Sequence, residues 1–269
     1  MIVAVIGGGK IGEAVARSIA RSDKVSKVIM TRRTAQANGK VRLQKLQLST
    51  DNRLAAREAD VIILAVKAGD AKQVLDQIAK LTPNKLVISL MGAVSIRRLE
   101  GALPKAKVVR SMPNIAAAIG EAITAYSAGS NLDKKDIEQV KFVLGCFGDY
   151  IEVPESLMNA VTGLSGSGPA YVAVLIDAMV SAGLKVGIPR EVAFKLVIKT
   201  FTGTADLLSE KGMHPAELRD LVTTPAGTTI AGIYELEKGA VRTSMMNAVE
   251  AATQAAERVA KKFEDVEPR

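Results

Sequence analysis

The sequence predicts an α/β protein, with a doubly wound parallel sheet over residues 1–154 followed by an all-α domain over 155–269. Three observations carry this. Short apolar runs alternate with helical stretches through the first half of the 269-residue chain, the order of a parallel sheet with crossover helices. A glycine cluster, Gly7-Gly8-Gly9-Lys10-Ile11-Gly12, stands between the first apolar run and the first helical stretch. After Pro154 no strand pattern recurs, and the chain reads as successive helices.

Met1–Ile6 is a short apolar run ending in glycines, as a buried strand should be. Ile11–Ala20 has helical periodicity, with Ile11, Val15 and Ile19 on one side and Glu13 and Arg17 on another. Val25–Met30, Asp60–Val66, Leu86–Leu90 and Lys107–Met112 are further strands, with a helix at Asp70–Leu81 among them. Glu121–Tyr126 and Tyr150–Val153 read as edge strands around a helix at Asp133–Gly145. Helices then follow at Glu155–Val161, Ala170–Lys185, Arg190–Ser209, Pro215–Leu221 and Ala240–Lys262. Pro169, Pro189 and Pro215 sit where a first helical turn begins, the one place in a helix that tolerates proline.

Composition narrows the function classes. Apolar residues are 48% and charged residues 24%, an ordinary globular balance. Aromatics are 3% with no Trp, so the core rests on Ala, Val, Ile and Leu, which suits a parallel sheet. A single cysteine, Cys146, excludes an intrachain disulfide framework and reads as a small buried hydrophobe rather than a nucleophile. The first residues lack the basic n-region of a secretory signal. The most apolar stretch, Ala170–Ala182, is interrupted by Asp177 and is too short to span a bilayer. A cytoplasmic protein with no membrane association is expected. The net charge of +8 is spread along the chain, without a basic arm or interleaved aromatics, which argues against nucleic acid and for a small anionic ligand. No metal site is expected, since nothing pairs His or Cys at ligand spacing. The only histidine, His214, precedes Pro215 at a helix entry and reads as a cap or surface residue.

Gly7 to Gly12, directly after Ile6, fits the dinucleotide fingerprint G-x-G-x-x-G between a strand and a helix. Gly7 makes the tight turn, Gly9 lets backbone approach a pyrophosphate, and Gly12 lets helix and strand pack closely. Gly8, Lys10 and Ile11 complete the loop, whose helix start offers unpaired N–H groups to phosphate. An NAD-selective site places Asp or Glu at the end of the second strand, to accept from the ribose 2′-hydroxyl. This chain has Thr31-Arg32-Arg33-Thr34 there. Two guanidiniums suit a 2′-phosphate, so NADPH is preferred and NADH remains possible. Near the other end, Pro225-Ala-Gly227 is a turn and Thr228-Thr229 begins a helix running to Leu236. Its first N–H groups form an anion site fit for a carboxylate.

Val161-Thr-Gly-Leu-Ser-Gly-Ser-Gly-Pro-Ala-Tyr-Val172 and the block from Leu218 to Gly239 resemble the two signature blocks of the pyrroline-5-carboxylate reductase family. The resemblance covers nearly the whole chain. It implies an N-terminal Rossmann-type domain, a C-terminal helical dimerisation domain, and NADPH-dependent reduction of 1-pyrroline-5-carboxylate to L-proline, the last step of proline biosynthesis. It implies cofactor contacts from Asn52, from Ala65-Val66-Lys67, from Met91, Gly92 and Ala93 in a loop beside the nicotinamide, and from Asn114. For Asn114 a turn-forming role is the competing reading.

At the substrate end the resemblance implies contacts from Gly227, Thr228 and Thr229, with the Thr229 hydroxyl on the ring nitrogen as donor or proton relay. Glu155 is implied near that nitrogen, and Ser165 and Ser167 on a cleft wall that also packs helices. Two departures stand out: Ala68 replaces a family proline after Lys67, and Ala226 replaces the first glycine of a Ser-Pro-Gly-Gly run. The Ala226 change matters if that position needs positive φ. Relatives interlock their helical domains as dimers, and some stack dimers into a decamer, so a homodimer or larger homo-oligomer is expected. Its cleft would be shared by the nucleotide domain and helices of both chains. Competing readings are another NADPH-dependent imine, 2-hydroxyacid or deazaflavin-linked oxidoreductase, or a non-catalytic NADP-binding sensor. Lys185 and Lys195 lack the lysine motif of the hydroxyacid enzymes.

Overall fold

A computed structural model describes residues 1–34 and 44–264. The first part runs β1 (Ile2–Ile6), α1 (Lys10–Ala20), β2 (Lys27–Thr31), β3 (Leu46–Ser49), α2 (Asn52–Glu58), β4 (Val61–Leu64), α3 (Ala71–Ile78), β5 (Leu86–Ser89), α4 (Ile96–Ala102), β6 (Lys107–Met112), β7 (Ala122–Ala128), α5 (Lys134–Gly145) and β8 (Gly148–Glu152). The eight strands form one sheet in the order β3-β2-β1-β4-β5-β6-β7-β8. From β3 to β6 every pairing is parallel.

The sheet is not parallel throughout. β7 runs antiparallel to β6 and parallel to β8. A parallel return needs a crossover of a dozen or more residues, and the 113–121 connection, which holds only a short 3-10 turn at Ile115–Ala118, is too brief for one. Because β8 pairs on its other side, β7 is an inner strand, and the edges are β8 and β3.

Alternation along the strands divides the core between the two faces of the sheet. Val3, Val5 and Ile63 pack with Val15 and Ile19 of α1 and Val140 and Leu144 of α5. Ala4, Ile6, Ile62 and Leu64 pack with Leu75 and Ile78 of α3 and Leu99 of α4. β4 and β5 are buried at every position, which is why they read as unbroken apolar runs rather than alternating ones.

After a 3-10 turn at Glu155–Leu157 come α6 (Met158–Val161) and a π-helical turn at Thr162–Gly166. By its contacts this segment belongs with the sheet. One compact unit comprises 1–167 with 250–264, and the other comprises 168–249. By contacts the division falls after Ser167, because Met158 is buried and Glu155 is bonded into the sheet unit.

The second unit holds α7 (Gly168–Lys185), α8 (Arg190–Lys211), α9 (Pro215–Leu221), α10 (Thr228–Lys238) and the start of α11 (Val241–Glu264). Its core is small: Val180, Ala193 and Val197 with Ile176, Ile188 and Phe201. α7 and α8 approach closely at Gly183, where a Cβ would lie 2.9 Å from that of Ala193. Val174, Phe194, Leu196, Tyr234 and Met246 stand exposed, an outward apolar surface of the kind that another chain covers.

The helical run 155–185 is long and apolar enough, by length and composition, to cross a membrane. It is longer than the Ala170–Ala182 stretch read from sequence, because α7 follows the π turn with little interruption.

Candidate active site

The carboxyl ends of β2, β1, β4, β5 and β6 lie side by side, and the strand order reverses direction between β1 and β4. Such a switch point is where open α/β sheets bind ligands. A cavity of about 670 Å³ opens there, lined by Gly7, Gly8, Gly9, Thr31, Arg32, Arg33, Asn52, Ala65, Val66 and Lys67 among others. Its volume is that of a ligand site. Ile6 ends β1 beneath it, fully buried and bonded through its carbonyl to the Ala65 N–H at 2.8 Å.

The fingerprint has the geometry its glycines predict. Gly7 has φ +110°, and a Cβ there would lie 2.6 Å from the Ala65 carbonyl. A Cβ on Gly12 would strike the Gly7 carbonyl, so α1 packs directly on the turn. Gly9 has nothing within 4 Å of where its Cβ would be, leaving room over the start of α1. Lys10 and Ile11 form that first turn. Its opening N–H groups face an open space suited to a pyrophosphate.

The arginines after β2 already have partners. Arg32 pairs with Glu13 of α1, and Arg33 pairs with Asp70. The Arg32 Nε is buried with no partner among the described residues. Burial opposes ionisation of Glu13, but hydrogen bonds from Arg17 and Arg32 hold its carboxyl below the usual value. Both guanidiniums line the cavity, so they fit a 2′-phosphate that shares or displaces these carboxylates. Asn52 is held on both sides: the Thr31 hydroxyl donates to its Oδ1 at 2.6 Å, and its Nδ2 donates to Gln77 at 2.8 Å.

Four other expected cofactor residues lie further along this edge. Met91, Gly92 and Ala93 belong to a turn after β5, closed by the Val94 N–H on the Met91 carbonyl at 3.1 Å. Asn114 caps the following 3-10 turn, accepting from the Ala116 N–H at 3.1 Å, which is the turn-forming role.

At the substrate end, Ala226 has φ +58°, so the position does adopt the left-handed conformation that glycine takes most freely. Gly227 is the N-cap of α10, and it is not capped by a side chain. The first intrahelical bond is Ala231 N–H to the Gly227 carbonyl, which leaves the Thr228, Thr229 and Ile230 N–H groups facing outward. Thr229 is half-buried and Thr228 exposed. Ser165 turns inward, its hydroxyl donating to the Val161 carbonyl at 3.2 Å. The Ser167 N–H closes the π turn on Thr162 at 2.9 Å. Glu155 accepts from the Ile96 N–H and from Arg110. His214 caps α9 through Nδ1. Burial raises the Cys146 thiol, which donates to the Phe142 carbonyl.

Residues 155–259 match the family described as pyrroline-5-carboxylate reductase dimerisation. Residues 2–93 match one described as NADP oxidoreductase, coenzyme F420-dependent. A pyrroline-5-carboxylate reductase of Synechocystis is 40% identical over 96% of this chain and 98% of its own length. The chain belongs to the pyrroline-5-carboxylate reductase family. Another member, from Methanosarcina acetivorans, is 43% identical over 81% of each chain. A crystal structure of Plasmodium falciparum pyrroline carboxylate reductase with NADP bound superposes with a TM-score of 0.89, at 31% identity, covering 97% of this chain and 98% of that one.

The activity is the family's: NAD(P)H-dependent reduction of pyrroline-5-carboxylate in proline biosynthesis. The match to a dimerisation domain implies a homo-oligomer. Sequence reasoning about this pyrroline-5-carboxylate reductase family member missed Asp70, Gln73 and Gln77, which line the cavity. Gln73 and Gln77 are one helical turn apart in the helix it did predict, a spacing that could have exposed them. It also missed Arg110, whose one signal is a charge inside an apolar strand, a place where charge is almost never buried unless paired.

Proposed function

We propose that NADPH is the preferred reductant, and that the observation carrying this is the pair Arg32 and Arg33 at the end of β2, where an acidic residue would select NAD. The buried, unpartnered Nε of Arg32 beside the cavity supports a further acceptor there. Bound NADPH supplies the hydride that reduces the substrate C=N bond.

The chain's own residues bind and orient. The first turn of α1 and Gly9 hold the pyrophosphate, and Arg32 and Arg33 hold the 2′-phosphate. Asn52, fixed between Thr31 and Gln77, sits on the adenosine side with Ala65, Val66 and Lys67. The turn of Met91, Gly92 and Ala93 orients the nicotinamide end, next to the turn that Asn114 caps. The N–H groups of Thr228 and Thr229, with Gly227 as cap, donate to the substrate carboxylate.

A protonated C=N accepts hydride far more readily than a neutral one. The Thr229 hydroxyl is too weak an acid to protonate it unaided, so it donates a hydrogen bond to the ring nitrogen and relays a proton from water. The enzyme works as a homodimer or larger assembly such as a decamer, in the cytoplasm.

The deazaflavin-linked reading is favoured only by the match over 2–93, the nucleotide half that many oxidoreductases share. Cofactor oxidation followed with NADPH and with NADH, each with and without pyrroline-5-carboxylate, tests the proposal. Substrate-dependent oxidation that is faster with NADH would overturn the cofactor preference.

A further inference from the structure

Arg110 lies in the middle of β6 and is 6% exposed. A buried guanidinium needs partners, and this one has two. It donates to the carbonyl of Gly92, and its Nη1 donates to Glu155 Oε1 at 3.0 Å. The same carboxylate oxygen accepts the Ile96 N–H, the first of α4, at 2.7 Å. Glu155 thus joins β6 to α4, and the turn of residues 91–94 lies between β5 and α4.

In that turn the outer residues are anchored: Met91 is 2% and Val94 1% exposed. Gly92 and Ala93 are half-buried, and neither of their N–H groups donates within the described backbone. The peptide between them is the central unit of a β-turn, the one whose flip separates type I from type II. Because a peptide is planar and trans, its C=O and N–H point in opposite directions. Holding the Gly92 carbonyl on Arg110 therefore turns the Ala93 N–H away from the protein interior. A flip would leave a buried guanidinium without its carbonyl.

We propose that Arg110 and Glu155 are positioning residues that lock the Gly92–Ala93 peptide, so that the Ala93 N–H is presented to the nicotinamide end of the cofactor. This rests on the reading of the 91–93 turn as the nicotinamide subsite. It moves Glu155 from the substrate's ring nitrogen to the support of that turn. Neither side chain touches a reacting atom.

Calorimetric titration of the intact protein without substrate tests this, using NADPH and 2′-phospho-ADP-ribose, which lacks the nicotinamide. Arg110→Lys keeps the charge but loses the planar fork, and Glu155→Gln keeps the shape but loses the charge. Each should bind NADPH about tenfold more weakly while binding the fragment within about twofold of wild type. Should Arg110→Lys fail to fold, Glu155→Gln decides alone. Unchanged NADPH affinity overturns the proposal, as does an equal loss for the fragment, which would mean general damage to the fold. A rise confined to the KM for pyrroline-5-carboxylate in Glu155→Gln returns Glu155 to the substrate. If wild type binds NADPH no better than the fragment, the nicotinamide subsite itself is misplaced, an outcome separate from failure of the variants alone.

Discussion

Arg33, at the end of β2, forms an ion pair with Asp70 in the turn before α3. Both residues line the cavity at the switch point of the sheet, so under the proposed function a carboxylate stands where a 2′-phosphate would find its guanidinium. Asp70 competes for Arg33 and repels the phosphate, but does neither to NADH. The Arg33 side chain is 77% exposed, so solvent screens the effect and it is worth ~0.2–1 kcal/mol. Asp70→Asn should therefore raise the preference for NADPH over NADH by roughly 1.5- to fivefold, and the gain should shrink at high salt. Dissociation constants for both cofactors at two ionic strengths check this. An unchanged ratio would show that Asp70 lies outside the phosphate subsite.

Arg32 is the more enclosed of the pair, packed over Gly8 and bonded to Glu13. If these guanidiniums hold the 2′-phosphate, Arg32→Asp with Arg33→Ser should weaken NADPH far more than NADH. The charge-assisted bond lost at the enclosed Arg32 costs on the order of 1.5–3 kcal/mol, and the one lost at the exposed Arg33 costs less. Equal losses for the two cofactors would remove the assignment.

These partners explain what could be read from sequence. Gly7, Gly9 and Gly12 were legible because each is needed for a local reason: a positive φ, an open approach and a helix–strand contact. The strands β1, β4 and β5 were legible because burial on both faces writes them as unbroken apolar runs. The short edge strand Leu46–Ser49 was not, since Leu-Gln-Leu-Ser has one well-buried residue and no run to mark it. Glu13, Asp70 and Glu155 carry no signal for their roles, because ion pairs between distant segments have no period. The antiparallel turn into β7 was hidden for a different reason: it depends on a connection too short to cross over, and the strand itself looks ordinary. The π turn at Thr162–Gly166 has the composition of any small-residue helix start.

Thr229 stands at the second position of α10, where its N–H and its hydroxyl can serve different purposes. Thr229→Val keeps the shape and the N–H while removing the hydroxyl. Turnover should fall about a hundredfold if the hydroxyl relays the proton, with NADPH binding intact. A turnover number equal to wild type would leave Thr229 with the carboxylate alone.

Tyr126 is 1% exposed, and its hydroxyl donates to Glu152 at 3.2 Å. Burial, with the charge and hydrogen bond of Glu152, pushes its pKa up to about 12. An unfolded tyrosine loses its proton near pH ~10, so the folded state keeps a proton that the unfolded state gives up. The resulting stability is complete below pH ~10 and is lost as pH rises towards about 12. Tyr126→Phe lacks this dependence. Urea unfolding of both proteins across that window should show wild type falling more steeply, and parallel curves would mean the hydroxyl titrates normally.

Ala226 holds φ +58° one residue before the cap of α10. The left-handed conformation costs an L-residue roughly 1–2 kcal/mol, whereas glycine adopts it freely. Glycine also gives the unfolded chain more freedom, which offsets about 0.4–1 kcal/mol. Ala226→Gly should still stabilise the protein by up to about 1.6 kcal/mol, with turnover unchanged because the N–H groups of α10 keep their places. Gly227→Ala should do the opposite, since its Cβ would press on Thr224, whose carbonyl lies 3.1 Å from that position. Denaturant midpoints of the two variants separate these effects. If Ala226→Gly is less stable than wild type, the turn is not strained at Ala226.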